Sequence, residues 1–259
     1  MASVALVTGS ARGIGRAIAL RLAKDGLNVA VNDVRAREPE LTKLKHEIEL
    51  KGRRCEIVVG DISQESDVVG MIQNTVHALG QLNVMVANAG TMMVKPLLDL
   101  SVEEWDRVQA VNVRGTFLCY KHAAKQMIDQ GRGGKIIGAC SISGYRPATQ
   151  APAYSVSKWA VRGLTQVAAL DLAAYGITVN AYCPGIVKTD MWEDIDAKVT
   201  QNLGVSKGVA FETAVQTRSA LKRPQTPEDV AGMVSFLAGK DSDQITGQSL
   251  IVDGGIVFS

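Results

Sequence analysis

Tyr154 and Lys158, in the run AYSVSK over residues 153–158, set a phenol and an ammonium four residues apart. On a helix, side chains at i and i+4 share one face with Cβ atoms about 5–6 Å apart. The two groups can then act as a unit, although such a pair alone fits equally a surface helix with a packed tyrosine and a solvated lysine. A second cluster lies at the start of the chain. In TGSARGIG, residues 8–15, glycines at 9, 13 and 15 follow an apolar run and precede a helix-like stretch, Arg16 to Lys24. Glycines there permit a tight turn and let a pyrophosphate approach backbone N–H groups at a helix N-terminus, where the dipole also favours negative charge. The spacing is Gly-x-x-x-Gly-x-Gly, and the strand-turn-helix context supports a dinucleotide site. Asp33 stands eighteen residues past Gly15, near the spacing of a carboxylate that binds adenosine ribose hydroxyls. It would repel a 2′-phosphate, which favours NAD over NADP. Arg12, Arg35 and Arg37 pull the other way, since each could pair with a 2′-phosphate.

These residues need elements to hold them. Short apolar runs occur at Val4–Thr8, Val29–Asn32, Cys55–Val59, Val84–Ala87, Lys135–Ala139, Thr178–Tyr182 and Ser249–Val252. Such near-continuous runs read as buried parallel strands. Between them lie helix-like stretches. Gly26 closes the first, Ser101 with Glu104 forms a capping box, and Thr226-Pro227-Glu228-Asp229 opens the last before Gly239. Pro152 fits a helix start ahead of Tyr154, Val156, Ala160, Leu164 and Val167 continue an apolar stripe, and Gly176 stops it. Alternating strands and helices predict an α/β fold, a doubly wound, seven-stranded parallel sheet between two helical layers. With no linker or repeat, residues 1–259 read as one domain. The stretch of about 186–224 escapes the alternation and holds Met191, Trp192 and Phe211 among charged residues. After a strand end, that is the place for a substrate lid.

Composition narrows the partners. With 28 basic and 26 acidic residues dispersed along the chain, the net charge of +2 gives no nucleic-acid or anionic-membrane footprint. No apolar run reaches the length of a membrane span, and the N-terminus lacks the basic start of a signal peptide. Cys55, Cys119, Cys140 and Cys183 are far apart with no metal-binding spacing. Reduced thiols in a cytoplasmic protein and no metal site are the expectation.

The ordered set of motifs resembles the short-chain dehydrogenase/reductase family in its single-domain form. The set is TGSARGIG, Asp61 in GDIS, Asn88-Ala89-Gly90, Asn112 in VNV, Ser141 in CSISG, Tyr154-x-x-x-Lys158, Pro184-Gly185-x-x-x-Thr189 and VDGG at 252–255. The resemblance covers essentially the whole chain and implies a Rossmann-type fold, a nicotinamide cofactor and a homotetramer assembled through helices around 101–130 and 153–175 and a C-terminal strand. It implies that Tyr154 is the general acid/base at the substrate oxygen and that Lys158 holds the nicotinamide ribose. A free tyrosine has a pKa of about 10, so the Lys158 cation and the oxidised nicotinamide would be needed to lower it. Ser141 would hydrogen-bond the carbonyl or developing alkoxide, with Ser143 as its rival. Asn112 would mark a break in helix hydrogen bonding, although an asparagine in a helical pattern is commonly just exposed. Asp61 and Ile62 would contact adenine, Asp61 being equally readable as a helix cap before SQESD. By the same resemblance Gly9, Arg12, Gly13, Ile14, Gly15, Asn88 and Gly90 line the cofactor groove. Pro184, Gly185, Thr189 and the backbone of Val187 complete it near the carboxamide.

Within the family, NVAVND at 28–33, PGIVKTDMWEDID at 184–196 and ITGQSLIVDGGIVF at 245–258 are most similar to acetoin/diacetyl reductases, also called 2,3-butanediol dehydrogenases. The expected pocket is Ser141, Ile142, Met92, Met93, Gly185, Met191 and Trp192. A small pocket would admit vicinal diketones and hydroxyketones, and an open lid a bulkier cyclic or terpenoid alcohol. A 3-oxoacyl thioester reductase using NADPH, or a non-catalytic dinucleotide-binding sensor, are the other readings. The intact Asn112, Ser141, Tyr154 and Lys158 set weighs against the sensor.

Overall fold

The computed structural model describes residues 2–258. Strands whose residues are apolar on both faces need cover on both faces, and the sheet has it. Among the described residues, β1 (Val4–Val7), β2 (Asn28–Val31), β3 (Cys55–Ile57), β4 (Val84–Ala87), β5 (Gly134–Ala139), β6 (Ile177–Pro184) and β7 (Ser249–Val252) form one sheet. Its order is β3-β2-β1-β4-β5-β6-β7, with every pairing parallel. The strand order reverses between β1 and β4, which opens a crevice at their carboxyl ends where open α/β sheets bind ligands.

Helices α1 (Gly13–Lys24), α2 (Glu38–Glu49), α3 (Glu65–Leu79), α4 (Val102–Gln109), α5 (Thr116–Gln130) and α6 (Pro152–Leu172) come first along the chain. They are followed by α7 (Asp190–Leu203), α8 (Val209–Arg218) and α9 (Pro227–Ala238). One face of the sheet packs Ile18, Leu22, Leu41, Leu44, Val230 and Leu237 from α1, α2 and α9. The other packs Val68, Met71, Leu118, Met127 and Ala169 from α3, α5 and α6. This is the three-layer α/β/α arrangement that the alternation predicts.

The helix ends follow their residues. Ser101 and Thr226 each accept from the backbone three residues on, and Glu104 and Asp229 reach back, so both capping boxes form. Helix α1 starts at Gly13, so the expected glycine turn is itself the first helical turn. The stretch around 101–130 is not one regular helix. A π-helical turn at Ala110–Gly115 joins α4 to α5 and holds Asn112, 1% exposed. The stripe on α6 also differs from the reading. Its buried face is Ala153, Ser157, Lys158, Val161, Thr165 and Ala169, while Val156 and Val167 are exposed. An apolar periodicity marks a face that something covers, and here the single chain does not cover it. Finally, the irregular stretch of about 186–224 is largely helical, as α7 and α8.

Candidate active site

A cavity of about 1170 Å³ opens over the carboxyl ends of the strands, running from the glycine turn to α7 and α8. At the dinucleotide end the backbone is packed so closely that side chains are excluded. A β-carbon on Gly9 (φ 62°) would sit 2.8 Å from Ala89 Cα, and one on Gly15 would collide with the Gly9 carbonyl and lie 2.5 Å from Asn88 Nδ2. Asn88 ties β4 to this turn: Nδ2 donates to the Thr8 and Gly9 carbonyls, at 2.8 and 3.1 Å. Its Oδ1 accepts from the Tyr182 hydroxyl at 2.8 Å. Tyr182, fully buried and lining the cavity, was not singled out from sequence, since it reads there as one more strand residue.

Gly13 approaches Thr189, the N-cap residue of α7, so the turn and the end of β6 close on one another. Asp33 lines the cavity; its oxygens accept from Ala11 N at 3.2 Å and Val34 N at 2.9 Å. Arg37 lines the cavity and pairs with Glu40 at 3.0 Å, whereas the exposed Arg35 lies outside the lining and pairs with Glu38 at 3.5 Å. Arg12 forms a 2.6 Å ion pair with Asp190. Asp61, Ile62, Ile14, Gly90, Pro184, Gly185 and Val187 also line the cavity. The Asp61 carboxylate accepts from Ser63 N, while the residue before α3 is Gln64, so Asp61 closes a turn and does not cap the helix. A glycine cradle that a Cβ would fill, with a carboxylate at the tip of the next strand, fits the adenosine and pyrophosphate of a dinucleotide.

Tyr154 and Lys158 stand at the other end. Tyr154 and Lys158 lie one turn apart on α6, with Lys158 Nζ 5.4 Å from the Tyr154 ring centroid. Lys158 is 4% exposed and donates to the Ala139 carbonyl at 2.8 Å. Burial pushes its ammonium pKa down. Burial also pushes the Tyr154 phenol up to about 12, opposed by a hydrogen bond with the Ser141 hydroxyl. The expectation that Lys158 lowers this phenol is therefore not met by the chain alone, because loss of water around the phenolate outweighs the favourable contacts. Ser141 and Ser143 both line the cavity; Ser143 donates its backbone N–H to Ser141 Oγ at 3.1 Å, and of the two serines it is Ser141 that opposes the rise of the phenol.

Asn112 is buried and fully used. Its Oδ1 accepts from Thr91 N at 2.8 Å, and Nδ2 donates to Thr91 O at 2.9 Å and Ser157 Oγ at 3.0 Å. The π-helical turn brings that side chain between the loop after β4 and helix α6.

Met92, Ile142, Gly185, Met191 and Trp192 line the cavity as expected; Met93 does not, and its neighbour Val94 takes that part of the wall. Alternating residues of an extended loop face opposite ways, so two adjacent methionines cannot both face the cavity. The lid adds Ile195 and Val199 from α7 and Ala210 and Ala214 from α8. Among the described residues, no group of three or more His, Cys, Asp and Glu side chains is placed to hold a metal, and no helix is long and apolar enough to cross a membrane.

The chain belongs to the short-chain dehydrogenase/reductase family, oxidoreductases of the alcohol dehydrogenase type that use a nicotinamide dinucleotide. The family model described as enoyl-(acyl carrier protein) reductase matches residues 9–257. A short-chain dehydrogenase/reductase of Armillaria gallica is 52% identical over 98% of this chain and 96% of its own. The (S)-acetoin-forming diacetyl reductase of Staphylococcus epidermidis is 44% identical over the whole of both chains. Among solved structures, acetoin dehydrogenase YohF from Salmonella typhimurium superposes with a TM-score of 0.86 at 35% identity, covering 99% of this chain and 96% of that one. The protein interconverts a secondary alcohol and a ketone.

The crowding at Gly15 yields a direct test. Gly15→Ala forces the turn apart and weakens NADH binding by about 1–3 kcal/mol, the usual cost of overpacking a close contact. Titration of the nicotinamide fluorescence measures it, and an unchanged dissociation constant would show that the turn is not the dinucleotide cradle.

Proposed function

We propose that the chain interconverts a small vicinal hydroxyketone or diketone of the acetoin/diacetyl type with its alcohol, using NAD(H), as one catalytic domain acting in the cytoplasm. The observation that carries this is the meeting of Tyr154, Ser141 and Lys158 on one wall of the cavity, under a lid whose first helix holds Met191 and Trp192. Full-length similarity to a diacetyl reductase supports the substrate class. Four free, buried cysteines support a reducing compartment.

Bound NADH supplies the hydride in reduction, and NAD⁺ accepts it in oxidation. The residues do the rest. Ser141 donates a hydrogen bond to the substrate oxygen and steadies its developing charge. Tyr154 gives that oxygen its proton in reduction and takes it back in oxidation. Lys158 holds the nicotinamide ribose and, as a cation, favours the phenolate. Asn112 fixes the loop after β4 against α6. Gly9, Gly13, Ile14 and Gly15 cradle the pyrophosphate, Asp61 and Ile62 the adenine, and Thr189 with the backbone of Val187 the carboxamide. Asp33 takes the ribose hydroxyls. With Arg12, Arg35 and Arg37 all paired with carboxylates, the groups facing a 2′-phosphate favour NAD over NADP.

A second reading has one observation behind it. Ile195, Val199, Ala210 and Ala214 extend an apolar wall beyond Trp192, which suits a bulkier cyclic secondary alcohol. Rates with diacetyl, acetoin, 2,3-butanediols, cyclic secondary alcohols and 3-oxoacyl thioesters, each with both cofactors, decide between them. Turnover of diacetyl or acetoin with NAD(H) is expected. Rapid turnover of a bulky alcohol alone, or a clear NADP preference, overturns the substrate or the cofactor assignment respectively.

Tyr154→Phe lowers turnover about 10²–10⁴-fold and leaves NADH binding intact. Reduction requires the neutral phenol, so its rate is flat through neutral pH and falls only as the phenol ionises. Oxidation requires the phenolate, so its rate rises with pH. Because the proposed role of Lys158 is to favour the phenolate as a cation, Lys158→Met moves the oxidation limb to higher pH. A pH profile of kcat/KM that rises for reduction would overturn this assignment.

The uncovered face of α6, with Val156, Trp159, Val167 and Leu170 exposed beside Phe117 of α5, supports a homotetramer. Light scattering should give four times the chain mass, and Leu170→Glu a smaller species; a monomeric wild type sinks the assembly.

A further inference from the structure

Helix α8 begins without a cap of its own. Its N-cap residue is Gly208, at φ 96°, which has no side chain to accept from the free N–H groups of the first turn. The cap comes from the other lid helix. Asp196, in the middle of α7, accepts from Gly208 N at 2.5 Å with Oδ2 and from Phe211 N at 2.9 Å with Oδ1. It is 2% exposed. A buried carboxylate needs such donors, and a helix N-terminus is the place where its charge is favoured. One turn earlier on α7, Trp192 meets the edge of Phe211 with ring centroids 5.7 Å apart. The residue just before the clasp, Ile195, and the residue between its two amides on the α8 side, Ala210, both line the cavity.

We propose that Asp196 is a positioning residue for substrate: by capping α8 from within α7 it joins the two helices into one wall, whose distance from Tyr154 sets which alcohols fit. This rests on the reading that substrate lies under the lid. Asp196 does not touch the reacting atoms. Its effect passes through Trp192, Ile195 and Ala210, so it belongs in KM and in substrate preference. The exposed Arg12–Asp190 pair tethers the start of α7 to the glycine turn, but a solvent-exposed pair contributes little. The buried clasp therefore holds the wall's shape.

The test compares wild type with Asp196→Ala and Asp196→Asn as the full-length enzyme. KM and kcat are measured with the best small hydroxyketone and with a bulky cyclic secondary alcohol, beside NADH affinity and hydrogen exchange over 208–211. Removing both acceptors should raise KM for the small substrate about tenfold or more, because the two N–H groups that fasten α8 to α7 lose their acceptors and the wall loses its shape. Asparagine keeps one carbonyl oxygen and should fall between. NADH affinity should hold, exchange over 208–211 should quicken, and preference should shift toward the bulky alcohol. Unchanged KM with quickened exchange, or an equal loss for all substrates together with weaker NADH binding, overturns the proposal. If Asp196→Ala does not fold, Asp196→Asn decides on the same readouts. If wild type turns over no small hydroxyketone, the substrate reading fails, and the shift with whichever alcohol it does use still decides the role of Asp196.

Discussion

A lysine ammonium held away from water is the constraint around which the site is organised. Taking such a charge out of solvent costs several kcal/mol unless the protein supplies partners. Lys158 gets them from the end of β5, through the Ala139 carbonyl, and from the ring of Tyr154 on its own helix. To reach there it must pass beside Gly90, where a β-carbon would come within 3.6 Å of its Nζ and 3.3 Å of Asn112 Oδ1. The tighter of the two contacts is with the Asn112 amide, so the glycine of the Asn-Ala-Gly loop leaves room chiefly for that side chain. Burial lowers the pKa of the ammonium and raises that of the phenol. Alone, each group is driven toward its neutral form; together, each charged form is the natural partner of the other.

That arrangement requires α6 to sit at one height against the sheet, and the π-helical turn is what sets it. In a regular helix the Asn112 side chain would compete poorly with the backbone and point wherever solvent allowed. The turn at Ala110–Gly115 instead directs it inward, to both backbone groups of Thr91 and to Ser157 of α6. Gly115 completes the turn because a β-carbon there would strike Ile62, which lines the cavity. One irregular turn therefore touches both ends of the site. Such π turns are costly to form and are found frequently at functional sites.

Much of this was legible in the sequence because its causes are local. Continuous apolar runs give buried parallel strands, and Ser101 with Glu104 and Thr226 with Asp229 cap the helices they open. The Gly9, Gly13 and Gly15 spacing answers to a backbone approach that no other residue permits. What escaped is set by contacts between distant segments. The stripe on α6 looked like a core face, and a periodicity does not say whether the cover comes from this chain or another. Tyr182 reads as a strand residue until Asn88 is placed opposite its hydroxyl. The Tyr154 shift depends on how much water the finished fold excludes. Helix α8 was hidden because Gly208 gives no capping signal, its acceptor lying twelve residues back in α7.

The same division explains why reaction and substrate differ in how well the chain reveals them. Tyr154, Ser141, Lys158 and Asn112 are fixed to β5, α6 and the π-helical turn, elements buried in the sheet's own packing. The wall opposite them hangs outside the sheet, on α7 and α8, joined to each other by Asp196 and the Trp192–Phe211 contact. Side chains there can change the pocket without disturbing the acid/base pair. Substrate choice in such a design is decided by how firmly the outer wall keeps its shape, since an apolar surface that can yield discriminates weakly by size.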